Sequence, residues 1–123
     1  MISNKEYAAR RAELMSLMHS NSIAVISSAP EKIRSRDTHY PYKQNVNLSY
    51  LCGFPEPEAV LVLIPGREQG EMVLFCRDKD PLRETWDGYR EGPEGAVQNF
   101  AADDAFPIAD IDDILPNLIE GKD

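Results

Sequence analysis

The sequence predicts an α/β fold in which helices flank a mixed β-sheet. Segments with helical periodicity alternate along the chain with short apolar segments that are typical of strands. The apolar runs 59–64 and 72–76 are separated by a turn rich in Pro and Gly, so we expect these two strands to form an antiparallel hairpin. The 123 residues are the size of one domain, which we expect to span residues 1–123.

The first residues of the chain predict a helix. Ser3 and Glu6 form a capping box, which predicts an amphipathic helix that runs to about His19. Arg10 and Arg11 belong to the polar positions of this helix, so we expect both on its solvated face.

Three strands and one long loop are predicted next. The β-branched run 23–26 is bounded by polar residues and is expected to be a buried strand. Residues 27–45 lack periodicity and form an ordered loop in this interpretation. Residues 46–51 alternate apolar and polar side chains, which predicts a half-buried strand, and the continuous apolar run 59–64 predicts a central strand.

The second half of the chain contains shorter elements. Asp80 precedes a proline, a pattern that predicts a short helical turn before Trp86. Glycines and a proline keep residues 88–95 irregular in this interpretation. Residues 96–100 are expected to be helical and residues 105–107 to form a short strand.

A last amphipathic helix is predicted from Asp110, with a kink or a fresh start at Pro116, which lacks a backbone donor. Its apolar positions are Ile111, Ile114, Leu115, Leu118 and Ile119.

Composition and charge restrict the possible functions. Residues 1–50 carry seven Lys and Arg against four Asp and Glu, whereas residues 51–123 carry six against seventeen. The net charge of −8 opposes nucleic-acid binding, and the basic first half is suited to an acidic surface of another domain or subunit. No stretch is apolar enough to span a membrane and no leader pattern is visible, so we expect a soluble cytoplasmic protein. Cys52 and Cys76 are expected to be buried free thiols.

The sequence alone shows no active site. Its two histidines, His19 and His39, lack metal-ligand spacing, and Asp37 lies at i−2 from His39, on the opposite side of an extended segment. The carboxylate clusters at 103–104 and 110–113 are better explained by a loop and a helix N-terminus than by a metal site.

Two features nevertheless indicate function. The loop at residues 34–45 concentrates guanidinium, carboxylate and phenol groups, and the single tryptophan, Trp86, lies among Gly and charged residues at 84–90. Trp and Arg on loops are typical of interface hot spots, which favours an interface over the alternative of a lid on a small core.

Four motifs follow one another along the chain. They are Asp37-x-x-Tyr40-Pro-Tyr-x-Gln-Asn45, Tyr50-Leu-x-Gly53-Phe-x-Glu56-Pro57-Glu58-Ala-Val-Leu-Val-Leu63, Leu74-Phe75-x-Arg77 and Glu84-x-Trp86-x-Gly88-x-Arg90-x-Gly92. Together they resemble the N-terminal domain of Xaa-Pro aminopeptidase, or aminopeptidase P, of the creatinase and prolidase type of metallopeptidase.

This resemblance implies the ribonuclease H-like fold of creatinase and aminopeptidase P N-terminal domains, truncated here at its C-terminal end by at least one strand. It also implies a two-domain hydrolase that releases the N-terminal residue preceding proline. The family's catalytic pita-bread domain, which we expect to lie outside this sequence, holds two divalent metal ions, usually manganese. The chain itself is then expected to contain no catalytic residue and no metal ligand, and to be inactive alone.

The resemblance further implies a supporting role in an oligomer. In bacterial members the N-terminal domains build a tetramer and wall the active site of a neighbouring subunit. Matched by motif, Asp37 and Trp86 are expected near that site, with Tyr40 and Arg90 beside them, where they would meet proline-containing peptides. Two alternatives stay open: the corresponding domain of a prolidase-type dipeptidase, and a stand-alone binding module of the same fold.

Overall fold

A four-stranded mixed sheet lies at the centre of the computed structural model, which describes residues 3–18, 22–28, 33–34, 38–39, 44–67, 70–87 and 89–119. The strands are β1 (Ala24–Ser27), β2 (Ile33–Arg34), β3 (Thr38–His39), β4 (Val60–Leu63), β5 (Met72–Cys76) and β6 (Asp104–Pro107). The order in the main sheet is β1-β4-β5-β6, whereas β2 and β3 pair only with each other. The first two pairings are antiparallel and β5–β6 is parallel, so the predicted mixed sheet and its 59–76 hairpin are confirmed.

The structure describes five α-helices, four of which cover the two faces of this sheet. They are α1 (Asn4–Ser16), α2 (Val46–Cys52), α3 (Pro81–Asp87), α4 (Gly92–Phe100) and α5 (Ile111–Ile119), with a 3₁₀ turn at Ile108–Asp110. In the described part of the chain, no helix combines the length and the apolar character that crossing a bilayer requires.

The alternation of side chains along β4 and β5 creates two cores. Leu61 and Leu74 point to one face, where residues of α1, α2 and α4 pack against them. Val62 and Phe75 point to the other face, which α5 covers with the predicted apolar positions. Of those positions, Ile111, Ile114, Leu115 and Leu118 pack against this second core.

The first predicted helix is confirmed, with one error of side-chain placement. Ser3 Oγ accepts a hydrogen bond from the Glu6 amide, and α1 ends at Ser16, while His19 lies outside the described residues. Arg11, expected on the solvated face, is 5% exposed, and its Nη1 donates to the Leu51 carbonyl oxygen at 2.8 Å. Burial lowers the pKa of Arg11 from its ordinary value, although a guanidinium stays charged in proteins.

The strand predicted at residues 46–51 is wrong, because this segment is helix α2. Asn45 caps its N-terminus by accepting hydrogen bonds from the amides of Asn47 and Leu48, and Gly53 ends it at a left-handed φ of 71°. The buried residues of α2 are Leu48, Leu51 and Cys52, which follow the helical spacing i, i+3, i+4.

Two carbonyl oxygens near the C-terminus of α2, those of Tyr50 and Leu51, accept hydrogen bonds from side chains of α1. Arg10 Nη1 donates to the Tyr50 carbonyl oxygen at 3.0 Å, next to the bond from Arg11 to Leu51. The Arg10 guanidinium also lies 4.3 Å from the centroid of the Tyr50 ring. Because the C-terminal carbonyls of a helix lack intrahelical partners and carry partial negative charge, two guanidinium groups stabilise this end.

The remaining differences concern one loop, two predicted elements and a proline. The segment expected to be a loop at 27–45 contains the short antiparallel strands β2 and β3. The strand expected at 23–26 is β1, an edge strand that is half-buried instead of buried. Helix α4 begins four residues before the predicted 96–100, within the segment expected to be irregular. The fresh start of the helix predicted at Pro116 is wrong, because α5 continues through this proline while Leu115 and Leu118 on either side of it pack against the second core.

We predict that Arg11→Met lowers the free energy of unfolding by about 1–3 kcal/mol. Methionine replaces the aliphatic stem but leaves the Leu51 carbonyl without its buried donor. Chemical denaturation monitored by circular dichroism measures the effect. The exposed Lys5 of α1 gives the matched control, and Lys5→Met should change the free energy by less than about 0.5 kcal/mol. Equal values for the two variants would contradict the structural role of Arg11.

Candidate functional site

Helix α3 carries the tryptophan that the sequence singled out. Asp80 Oδ1 accepts a hydrogen bond from the Leu82 amide, and the Asp80 carbonyl accepts one from the Glu84 amide. Pro81 follows at the first helical position, where its missing donor costs nothing. The predicted helical turn is therefore confirmed, and it extends past Trp86 to Asp87.

Three large side chains of this region are exposed: Leu82 (74%), Trp86 (82%) and Tyr89 (64%), called here the Trp86 face. Leu82 and Trp86 are four residues apart and share one side of α3. An exposure of 82% shows that Trp86 does not act as a lid on the core of this chain, and its role in an interface stays a prediction.

A polar cluster, called here the Lys79–Glu84 clasp, holds the segment that bears the Trp86 face. Lys79 Nζ donates to Glu84 Oε1 at 2.8 Å and to the Arg90 carbonyl oxygen at 2.7 Å. Glu84 Oε1 also accepts from the Arg90 amide at 2.9 Å. The same ammonium lies 4.0 Å from the centroid of the Tyr89 ring.

The ionised forms of the clasp stabilise each other. The hydrogen bond to Glu84 raises the pKa of Lys79, and the bond from Lys79 lowers the pKa of Glu84. The contribution of Glu84 is lost only as the pH falls through its lowered pKa, and that of Lys79 only as the pH rises through its raised pKa. Both groups are therefore charged across the neutral range.

A buried carboxylate, Glu56, joins this region to the sheet. Glu56 is 7% exposed; its Oε1 accepts from Arg77 Nη2 at 3.3 Å and its Oε2 accepts from the Glu91 amide at 2.7 Å. Gln44 Nε2 donates to the carbonyl oxygens of Phe54 and Glu56, which fixes the loop that carries this carboxylate.

The structure describes two of the four predicted site residues. Trp86 is on α3, and Arg90 takes part in the clasp through its backbone while its Nη1 donates to the Asp78 carbonyl oxygen at 3.3 Å. Asp37 and Tyr40 lie outside the described residues, as does most of the 34–45 loop. Their position relative to Trp86 therefore stays a prediction.

The cysteines and two of the carboxylates singled out by the sequence take part in the packing and hydrogen bonding of the sheet region. Cys52 and Cys76 are buried free thiols, as predicted, and burial raises the pKa of both, that of Cys76 to about 12. The Asp103 carboxylate accepts a hydrogen bond from the Met72 amide, and the Asp104 carboxylate forms a salt bridge with Arg67 at 2.9 Å. Both carboxylates therefore stabilise the sheet. Across the described ranges, no three His, Cys, Asp or Glu side chains are grouped so as to hold a metal ion.

Sequence reasoning missed the residues that hold the Trp86 face in place. Glu56 and Glu84 occur within the recognised motifs, but nothing local assigns them a partner. Lys79 precedes helix α3 and Arg90 follows it, so no single helical or strand period relates Lys79, Glu84 and Arg90. Only the tertiary structure brings these groups together.

Fold and site together define an α/β domain that presents an exposed aromatic face held by a network of charged side chains. The chain belongs to the family described as "Aminopeptidase P, N-terminal domain", whose model matches residues 7–123. The resemblance inferred from the motifs is thereby confirmed.

Known proteins support this membership in sequence and in structure. The chain is similar to the Xaa-Pro aminopeptidase of Escherichia coli (42% identity over 99% of this chain and 28% of that protein) and to Xaa-Pro aminopeptidase 3 of Homo sapiens (36% identity, 95% and 25%). The solved structure of the Pseudomonas aeruginosa aminopeptidase PepP superposes with a TM-score of 0.96 at 60% identity, covering 99% of this chain and 28% of that one. The chain thus spans about a quarter of the length of its relatives.

We predict that Glu56→Gln destabilises the domain by about 1–3 kcal/mol, because a half-buried Arg77 then loses its counter-charge. Thermal and chemical denaturation measure the change. Glu58, two residues away and exposed, supplies the control, and Glu58→Gln should lie within about 0.5 kcal/mol of the parent chain. A Glu56→Gln variant as stable as the control would show that this ion pair does not hold the region together.

Proposed function

We propose that this chain is the non-catalytic N-terminal domain of a metal-dependent Xaa-Pro aminopeptidase, a cytoplasmic hydrolase that releases the N-terminal residue preceding proline. The observation that carries the proposal is the match to this domain family over residues 7–123. Support also comes from relatives named Xaa-Pro aminopeptidase that resemble the chain over nearly its full length, while the chain covers about a quarter of theirs.

In this proposal the chemistry belongs to a separate catalytic domain. Two divalent ions, manganese by preference, would bind there and would activate water for attack on the peptide. The present domain would pack against that catalytic domain and join homo-oligomers, expected to be tetramers.

The Trp86 face would contribute to a neighbouring subunit's active site. A flat, exposed indole offers apolar contact to a proline ring and to the residues after it, at little cost in side-chain entropy. Asp37 would supply a negative charge or a hydrogen-bond acceptor beside it, with Tyr40 nearby. Arg90, which is hydrogen-bonded to the Asp78 carbonyl and to the clasp, would support this substrate-contacting surface from behind.

We predict that the longer protein containing this chain cleaves Xaa-Pro tripeptides in the presence of Mn²⁺ and that a chelator abolishes the activity. The 123-residue chain alone should release no amino acid under the same conditions. Mass spectrometry of the products measures both. Activity restricted to dipeptides would favour the prolidase-type alternative, and a reading frame without a catalytic domain would favour a stand-alone binding module.

We predict that Trp86→Ala in the full-length enzyme lowers kcat/KM for long Xaa-Pro peptides about tenfold, because a surface that contacts the substrate is removed. The thermal midpoint should hardly change, since Trp86 is exposed. Leu17 is similarly exposed (83%) but lies at the end of α1, so Leu17→Ala is the matched control and should retain full activity. An unchanged kcat/KM in Trp86→Ala would disprove the proposed contact between Trp86 and the substrate.

A further inference from the structure

The short helix α3 owes little of its stability to a hydrophobic core. It has seven residues, fewer than an isolated helix needs to be stable in water. Among the α3 side chains that the structure describes, Leu82, Thr85 and Trp86 are exposed and Glu84 is half-buried. The orientation of the Trp86 face must therefore be set mainly by polar contacts and by the chain on either side.

The Lys79–Glu84 clasp supplies those contacts on both sides of the helix. Lys79 precedes α3 and Arg90 follows it, and the lysine ammonium bridges the Arg90 carbonyl and the Glu84 carboxylate at 2.7 and 2.8 Å. Since Glu84 also accepts from the Arg90 amide at 2.9 Å, both backbone polar groups of Arg90 are bound within the clasp. These hydrogen bonds join Lys79, before α3, to Arg90, after it, so the segment 79–90 forms a closed loop that contains α3.

The clasp also contacts the Trp86 face directly. Lys79 Nζ lies 4.0 Å from the centroid of the Tyr89 ring, a distance that permits a cation–π contact. One ammonium therefore fixes the ends of the segment and one of the three large exposed side chains of the Trp86 face.

We propose that Lys79 and Glu84 are positioning residues that hold the Trp86 face in its binding orientation. This inference rests on the proposed function for the identity of the ligand, which is a proline-containing peptide at a neighbouring active site. The residues act through Trp86 and need not touch the peptide. Loss of either one should leave the sheet intact while α3 and Trp86 become more mobile.

Two variants isolate the clasp. Glu84→Ala removes the carboxylate and introduces the residue with the highest helix propensity, so any loosening of α3 cannot be attributed to propensity. Lys79→Met keeps the aliphatic stem and removes the ammonium, whereas Lys79→Arg keeps a cationic donor of different shape and should retain part of the contacts. Lys5→Met, on the exposed side of α1, repeats the chemical change elsewhere.

The first experiment uses the 123-residue chain, in which Trp86 is the single tryptophan. Time-resolved fluorescence anisotropy should show a larger amplitude of nanosecond local motion in Glu84→Ala and Lys79→Met. Lys5→Met should match the parent chain, and Lys79→Arg should lie between the parent chain and Lys79→Met. Unchanged anisotropy in Glu84→Ala and Lys79→Met, with parental far-ultraviolet circular dichroism, would overturn the proposal.

The second experiment is a double-mutant cycle in the full-length enzyme. Glu84→Ala should lower kcat/KM for long Xaa-Pro peptides about tenfold in the parent background and by less than about twofold in the Trp86→Ala background. An equal loss in both backgrounds would show that Glu84 does not act through Trp86 and would overturn the proposal. A parent enzyme without aminopeptidase activity refutes the proposed function instead, while the anisotropy still decides whether the clasp orders Trp86.

Discussion

The antiparallel pairing of β4 with β5 sets the position of everything that bears on the candidate site. Val60 at the start of β4 pairs with Phe75 near the end of β5, so the loop before β4 and the chain after β5 emerge at the same end of the sheet. Glu56 and Arg77 meet there at 3.3 Å, and Glu56 then binds the Glu91 amide on the far side of α3. A register shift of one residue would turn every side chain of a strand to the opposite core and would separate these groups.

How far sequence predicts this fold is clear from two elements. The hairpin was predictable because a continuous apolar run, a Pro-Gly turn and a second apolar run allow few alternatives. The strand prediction for residues 46–51 failed because the apolar positions in six residues fit both a period of two and a helical period. The side-chain cap of Asn45 and the left-handed Gly53 favour the helix, and caps at both ends outweigh a short alternation.

Arg11 and the clasp illustrate what a local pattern cannot contain. A charged residue on an amphipathic helix is normally solvated, and Arg11 is buried only because the terminal carbonyls of α2 lie against α1. Trp86 could be chosen from sequence because its type and its polar neighbours are unusual for a core residue. Lys79 and Glu84 could not, since their importance arises from backbone groups of Arg90 that only the folded chain brings within reach.

An exposed aromatic face needs an anchor that does not bury it, and charges meet this need better than a core does. Packing Leu82 or Trp86 inward would stabilise α3 but remove the surface that a partner would contact. A half-buried carboxylate and a lysine hold the backbone through hydrogen bonds, so the apolar groups stay outside. Because a surface ordered before binding loses less entropy when the complex forms, this arrangement favours affinity without additional contact area. The network from Glu56 through Glu91 to Arg90 makes that order depend on the sheet, which connects the stability of the domain to the position of Trp86.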